Sequence, residues 1–380
     1  MKKLLYIANL RLPTEKAYGI QIVKMCEALA DQGLSVKLVL PTRRNQIKES
    51  IFSYYQAKKK FKVKKLSSPD FYWPGGLDRF SVVIKNFISA VILSIYALFN
   101  QAEFIYSREE LPLYLLSFFK RNLIFEAHRY SLRRVRYYRR FKKIGLKIVV
   151  ISNGVKEELI KFGFKPEKII IAPDGVDLEL FAVNKTKSEC REILSLPQDK
   201  KIILYTGHFY KWKGAGILVD AAQNFQDIKN IFFVFVGGTE SDVNNFRDKI
   251  EGMKLDNIEI VGHVLHNKVP LYLRAADILI LPNSSGENIS RLYTSPLKMF
   301  EYMSSGKPII ASNLPSIREI LTEDHAFFSK PDDPQDLTVV INEVINNTSE
   351  AEKRAQRSLL EVVRYSWQAR AGQIIKFISN

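Results

Sequence analysis

The chain has only two cysteines in 380 residues, Cys26 and Cys190, and they lie far apart. Such a pair supplies neither a disulfide framework nor a thiolate metal site of finger or ribbon type, so a reducing, cytosolic setting is expected. Long apolar runs are missing as well. The uncharged stretch Phe87 to Phe99 stops at 13 residues, short of the roughly 20 that a membrane-crossing helix needs. Leu4 to Ala8 is too brief for the core of a signal peptide, and no cleavage pattern follows it, so no export signal is expected. Fixed-period repeats and low-complexity segments are absent. Paired acids suited to a metal are lacking too, since Asp332 and Asp333 read as loop residues after Pro331.

What remains is a foldable globular chain, 46% apolar, 26% charged and 12% aromatic, with too much apolar content for intrinsic disorder. Its length favours two domains. Charge divides them. Residues 1–150 hold 29 Lys and Arg against 10 Asp and Glu, a net +19, while residues 151–380 hold 28 against 30. The densest basic stretches are Lys58 to Lys65 and Arg133 to Lys143, the second with aromatics between its cations. Such a pattern attracts nucleic acid, anionic lipid or a phosphorylated acceptor, and it also suits a merely solvated helix face.

Short runs rich in Ile, Val, Leu and Phe alternate with amphipathic stretches of helical length. Leu4–Ala8, Val36–Leu40, Phe104–Tyr106, Leu123–Phe125, Ile148–Ile151 and Ile169–Ala172 read as strands of one sheet, with helices including 19–31 and 154–162. After Phe181 the pattern restarts with strands at Ile202–Thr206, Phe232–Val236, Ile258–Val261, Ile278–Leu281 and Ile309–Ala311. Near-continuous apolar strands with helical crossovers imply parallel sheets covered on both faces. The expected fold is therefore α/β, two facing doubly wound Rossmann-like domains, with ligands beyond the carboxyl ends of the strands. Phe87 to Phe99 reads either as a buried crossover helix or as an interfacial helix dipping into lipid.

Three segments carry chemistry. In Tyr293–Ser312, Ser295 followed by Pro296 signals a helix start, with the serine as cap and the proline at the first helical position. The free N–H groups of that helix suit a diphosphate, Lys298 can add charge, and Glu301 in the second turn can accept from vicinal ribose hydroxyls. An exposed helix glutamate is the plainer reading of Glu301. In Thr206–Gly214, TGHFYKWKG, a glycine follows a strand, and Lys211 and Lys213 can face a phosphate at the next helix. The spacing lacks the GK[ST] ending of a Walker loop. In FEAH, His128 follows a strand of the basic domain, a lone histidine with no partner fixed by sequence.

Together with AADILILPN (Ala275–Asn283), VGHV (Val261–Val264), IAPDGVD (Ile171–Asp177) and the terminal SWQARAGQIIKFI, these segments resemble glycosyltransferase family 4, the retaining sugar-nucleotide transferases of GT-B fold. The resemblance covers essentially the whole chain. It implies an acceptor-side domain at 1–180, a donor domain at 181–360 and a helix at 361–380 crossing back to the first domain. Position by position, it makes Glu301 the ribose-binding second glutamate of the paired-glutamate motif and Lys213 the phosphate-binding lysine. Gly19 becomes the glycine of the N-terminal loop that approaches the reacting sugar, and His128 the acceptor-side histidine. Gly207, His208, Val264 and the run Tyr293, Thr294, Ser295, Pro296, Leu297 and Lys298 fall on the donor side, and Lys213, His128 and Glu301 carry the chemistry.

Two positions depart from the family pattern. Tyr293 stands where the first glutamate belongs, eight positions before Glu301, and His208 stands where an arginine commonly follows the loop glycine. The first removes the usual carboxylate to the donor sugar, with Glu287 as a substitute at unlike spacing. The second shifts phosphate neutralisation to Lys213, Lys298 and the helix end.

The implied reaction moves a sugar from a nucleoside diphosphate to an acceptor hydroxyl with retention, without metal or cofactor. Cell-surface polysaccharide or glycolipid assembly at the inner face of the plasma membrane is the expected setting, with a lipid-linked or otherwise anionic acceptor and an anionic membrane surface as partners, and no nucleic acid. Two other readings compete. A nucleotide-sugar epimerase would need acid and base groups around the sugar, for which only His128, Glu126 and Glu287 offer themselves. A non-enzymatic nucleic-acid binder would use the basic half, but no binding-module signature accompanies it.

Overall fold

The computed structural model describes residues 1–379. The chain forms two compact units: Met1–Pro173 together with the segment from Trp367 on, and Asp174–Ser366. The sequence put the boundary near 180 and the returning segment at 361; the chain leaves the first unit after Pro173 and re-enters at Trp367.

The first unit is built on seven strands, β1 (Lys3–Ile7), β2 (Ser35–Pro41), β3 (Lys62–Leu66), β4 (Phe104–Ser107), β5 (Leu123–Ala127), β6 (Lys147–Val150) and β7 (Ile169–Ile171). They pair in parallel in the order β3-β2-β1-β4-β5-β6-β7. The second unit holds β8 (Lys201–Thr206), β9 (Ile231–Val236), β10 (Ile258–Gly262), β11 (Ile278–Leu281), β12 (Ile309–Ser312) and β13 (Phe327–Ser329), ordered β10-β9-β8-β11-β12-β13 and again parallel. Leu4 to Ile7 and Phe233 to Val236 are buried because helices cover both faces. Each sheet reverses its winding at one point, β1 beside β4 and β8 beside β11, and a doubly wound sheet opens its ligand crevice there.

Two strands escaped the sequence reading. β3 reads KVKKL and lies inside the first basic run; Lys62, Lys64 and Lys65 are exposed on an edge strand, where lysines block pairing with another chain. β13 is only FFS, too short to show a pattern.

The run Phe87–Phe99 belongs to a helix spanning Asp78–Leu98 that continues back through Lys85 and Arg79. This corrects the length argument, since by length and composition the helix is long enough to cross a membrane. The second basic run is likewise partly structural. Arg140 donates to Ser117 O at 2.7 Å and lies 4.2 Å from the Phe118 ring centroid, Arg136 donates to Tyr114 Oη at 3.2 Å, and Arg134 sits 3.7 Å from Glu110.

The terminal helix Trp367–Ser379 packs on helix Ala17–Asp31 of the first unit. Lys147 Nζ ties down its end by donating to Phe377 O at 3.0 Å and Ile378 O at 3.1 Å.

Candidate functional site

At the carboxyl end of β8 the backbone turns at Gly207, whose φ is +121°. Gly237, at the end of β9, packs against it so closely that a Cβ there would meet Gly207 O at 2.4 Å. Lys211–Lys213 then forms a single 3-10 turn ending at Gly214, with φ +71°. A Cβ on Gly214 would fall 1.6 Å from Pro282 O, and Ser284 N donates to Trp212 O at 2.9 Å. The lysine-bearing loop is thereby fixed against the end of β11, at the point where the sheet reverses.

Helix Leu297–Ser304 faces the same place, although its start differs from expectation. Pro296 occupies the cap position, and no side chain caps the helix. Ser295 instead accepts a hydrogen bond from Asp174 N at 2.9 Å, holding the strand-exit segment after Pro173. Lys298 is buried with Nζ lacking a hydrogen-bond partner among the described residues. Its ammonium lies 3.8 Å from the Tyr205 ring centroid and 3.7 Å from where a Cβ on Gly207 would stand. Burial, and then the like charge of Lys213, hold its pKa well below the ordinary lysine value despite Glu301. Burial also pushes Lys213 down to about 8, opposed by Glu301. Two cations are thus crowded out of water with one carboxylate nearby, an arrangement suited to an incoming anion.

Glu301 is buried rather than an exposed helix glutamate, and its Oε1 pairs with His266 Nε2 at 2.8 Å. His266 was not anticipated; its only signal was its place just past the VGHV turn. Tyr302, the next residue, accepts from Thr206 N through its hydroxyl at 2.8 Å, locking the helix to β8.

The remaining donor-side candidates are placed as follows. The His208 carbonyl accepts from Tyr205 Oη at 2.7 Å, and its ring stacks on Tyr210 at 5.0 Å between centroids. Val264, beyond β10, is half-buried against the core. Tyr293 ends a π-helical turn, Ile289–Tyr293, and Thr294 is buried beside it. Glu287 is exposed. Lys213, Lys298, Glu301 and Gly207 are therefore brought together in the second unit, while His128 and Gly19 belong to the first.

In the first unit His128 is not solitary. Its Nε2 lies 2.6 Å from Glu126 Oε1, which also receives Gln21 Nε2 at 2.6 Å and Arg370 Nη2 at 2.9 Å. Tyr106 Oη donates to the other oxygen, and Arg108 Nη1 reaches Gln21 Oε1 at 2.7 Å. Burial raises the pKa of the Glu126 carboxyl, but Arg370 and the His128 hydrogen bond outweigh it and hold the group well below the usual range. With Glu126 ionised and able only to accept, His128 Nε2 carries the proton of their hydrogen bond.

Gly19 lies in the first turn of helix Ala17–Asp31 rather than in a loop, and a Cβ on it would meet Tyr55 Oη at 2.0 Å. Its bareness is used by packing, since that hydroxyl bridges Thr14 N and O at 2.8 Å each. One acid was missed: Glu109, just after β4, is pushed up to about 7 by burial and by Glu110. The Arg-Glu-Glu cluster behind the strand could have flagged it.

Two parallel-sheet Rossmann-like units with a terminal helix returning to the first define the GT-B class. Across its full length the chain aligns with all of Anabaena HepE, crystallised with UDP-glucose, at a TM-score of 0.77 and 16% identity. It aligns over 99% of its length with all of WaaG, a glycosyltransferase involved in lipopolysaccharide biosynthesis, at 0.71 and 12%. The sequence model of Glycosyltransferase Family 4 matches residues 19–180, and that of glycosyl transferases group 1 matches residues 186–359. The chain belongs to glycosyltransferase family 4. Among curated relatives, the phosphatidyl-myo-inositol mannosyltransferase of Mycobacterium tuberculosis is 26% identical over 214 residues, 54% of this chain and 52% of the relative. D-inositol 3-phosphate glycosyltransferase 1 of Catenulispora acidiphila is 23% identical over 247 residues, 60% and 56% respectively. The chain spans about half the length of the curated relatives it matches.

Proposed function

We propose that the protein transfers a sugar from a nucleoside diphosphate donor to an acceptor hydroxyl with retention at the anomeric carbon. The observation that carries this reading is the buried, unpartnered Lys298 ammonium beside Gly207, sharing its surroundings with Lys213 and Glu301. Lys213, Lys298 and the start of helix Leu297–Ser304 receive the diphosphate, and Glu301, steadied by His266, accepts from the ribose hydroxyls. HepE, with UDP-glucose in its structure, supports a nucleotide-sugar donor.

In the reaction the bond from the anomeric carbon to the diphosphate oxygen breaks and the bond to the acceptor oxygen forms on the same face. The acceptor proton passes to the departing phosphate. Negative charge grows on the diphosphate, so preorganised cations lower the barrier there, and no divalent ion is required in this reading. His128, anchored by Glu126, orients the acceptor side of the sugar.

The first unit holds the acceptor. The net +19 of residues 1–150, which make up most of it, suits an anionic, lipid-linked diphosphate at the inner face of the plasma membrane, in polysaccharide or glycolipid assembly. The mannosyltransferase relative and WaaG are named for such lipid-borne or lipopolysaccharide chemistry, which supports that setting. Incubation with a panel of UDP-, GDP- and ADP-sugars and lipid-diphosphate acceptors, followed by NMR of the new linkage, tests the reading. A product with the donor's anomeric configuration is expected. An epimerised donor formed without acceptor, or an inverted product, would contradict it.

A further inference from the structure

Helix Asp78–Leu98 exposes a row of large apolar side chains and buries polar ones alongside Ala90 and Leu93. The stripe turned to the protein carries Ser81, Lys85, Ser89, Ser94 and Ala97, all buried. Phe80, Val83, Ile84, Phe87 and Ile95 form the outward stripe, with Phe80 63%, Val83 67% and Phe87 52% exposed. A helix of a globular protein in water turns its apolar stripe inward. Scattered exposed apolar residues are ordinary, whereas a continuous apolar stripe marks a surface meant for something other than water.

The inner stripe is finished as a protein interface. The hydroxyls of Ser81, Ser89 and Ser94 donate to Asp78 O, Lys85 O and Ala90 O, each at 2.7 Å. Lys85 Nζ lies 3.3 Å from Asp70 Oδ1 and 3.2 Å from the Tyr72 ring centroid, and Arg43 Nη2 donates to Ser89 Oγ at 2.7 Å. One side of the helix is therefore committed to the first unit, and a span through lipid, which needs apolar surface on all sides, is closed to it. The outward side alone is available.

We propose that this side lies in the plane of an anionic lipid bilayer, with the outward stripe sunk among the acyl chains and cations around it at the headgroups. Charge complementarity selects this occupant. Arg79, Arg121, Arg133 and Arg139 are exposed in the same unit, and an amphipathic helix of this kind binds through apolar burial together with attraction to anionic headgroups. A second copy of the chain would bring its own +17 against them. Trp73, of a residue type that favours the water–lipid boundary, stands before the helix at 41% exposed, and the apolar Phe99 at its end is 82% exposed. Phe119, past the neighbouring helix Glu110–Leu116 that packs on this one, is 71% exposed. The inference rests on the membrane setting proposed above and deepens it, since insertion of this helix rather than charge alone holds the protein there.

The test is cosedimentation of the full chain with vesicles of phosphatidylcholine alone and of phosphatidylcholine with phosphatidylglycerol. Binding of UDP, GDP and ADP and thermal melting are followed in parallel, with Phe80→Glu/Phe87→Glu and Arg133→Gln/Arg139→Gln as variants. The wild type is expected to bind the anionic vesicles, with a blue shift of Trp73 fluorescence that a Trp73→Phe variant removes. The phenylalanine variant should lose about tenfold or more of its partition while melting and binding nucleotide as before. The arginine variant should weaken binding at low salt. Equal partition of wild type and phenylalanine variant would overturn the proposal, as would pellets that resist alkaline carbonate. So would a dimer broken by Phe80→Glu/Phe87→Glu with no vesicle binding. Absent binding of UDP, GDP and ADP alike, with intact vesicle binding, would defeat the transfer reading and leave this one standing.

Discussion

Arg370 Nη2 on the terminal helix lies 2.9 Å from Glu126 Oε1 at the end of β5, across 244 residues of sequence, with both side chains buried. The pair fastens the end of the chain to the strand that presents His128. Arg370→Met would leave the Glu126 charge buried without its main partner, at a cost of about 3–5 kcal/mol. Urea denaturation measures it, and the double variant Arg370→Met/Glu126→Gln should recover part of the loss.

The same carboxylate sets a pH dependence. Its folded pKa is depressed, so its contribution to stability is complete above the ordinary carboxylate range and is lost as pH falls through the depressed folded value. Acid unfolding of Glu126→Gln should accordingly be shallower than that of the wild type, as followed by circular dichroism from pH 7 downward.

Much of the fold was legible because near-continuous apolar strands alternating with helices admit few architectures, and the order of motifs specified the family. What escaped is equally physical. β3 is charged because it is an edge, so its lysines read as a basic run. Ser295 and Pro296 looked like a cap because local spacing cannot reveal that the hydroxyl is engaged by Asp174 N. Glu126 and His266 act through partners 244 and 35 residues away, distances that no local pattern carries. Phe87–Phe99 misled because charge was counted along the chain, whereas Lys85 turns inward to Asp70 and leaves the outer stripe apolar.

Lys213 gives donor binding its own pH profile. Its folded pKa near 8 lies below the unfolded lysine value, so the cost of holding it charged is full below about 8 and is relieved as pH rises toward the unfolded value. A bound diphosphate favours the charged form. UDP affinity should therefore fall as pH rises through about 8, with proton uptake on binding above it, measurable by calorimetry in buffers of different ionisation heat.

Gly214→Ala should disturb the loop more than the core. The added Cβ would strike Pro282 O at 1.6 Å, from a φ of +71°. Strain of this kind costs about 1–3 kcal/mol, and displacement of Lys213 should weaken UDP binding. Melting temperature and UDP affinity check the two effects separately.

The central claim is that the second unit binds the donor through Lys213, Lys298 and Glu301. Titration calorimetry with UDP-, GDP- and ADP-sugars, on the wild type, Lys213→Ala and Glu301→Gln, tests it most directly. One nucleotide series should bind the wild type, with affinity falling about tenfold or more in Glu301→Gln, since hydrogen bonds to charged groups contribute roughly 1.5–3 kcal/mol. Lys213→Ala should bind still more weakly. No binding by any nucleotide sugar, or equal binding by all three proteins, would contradict the account.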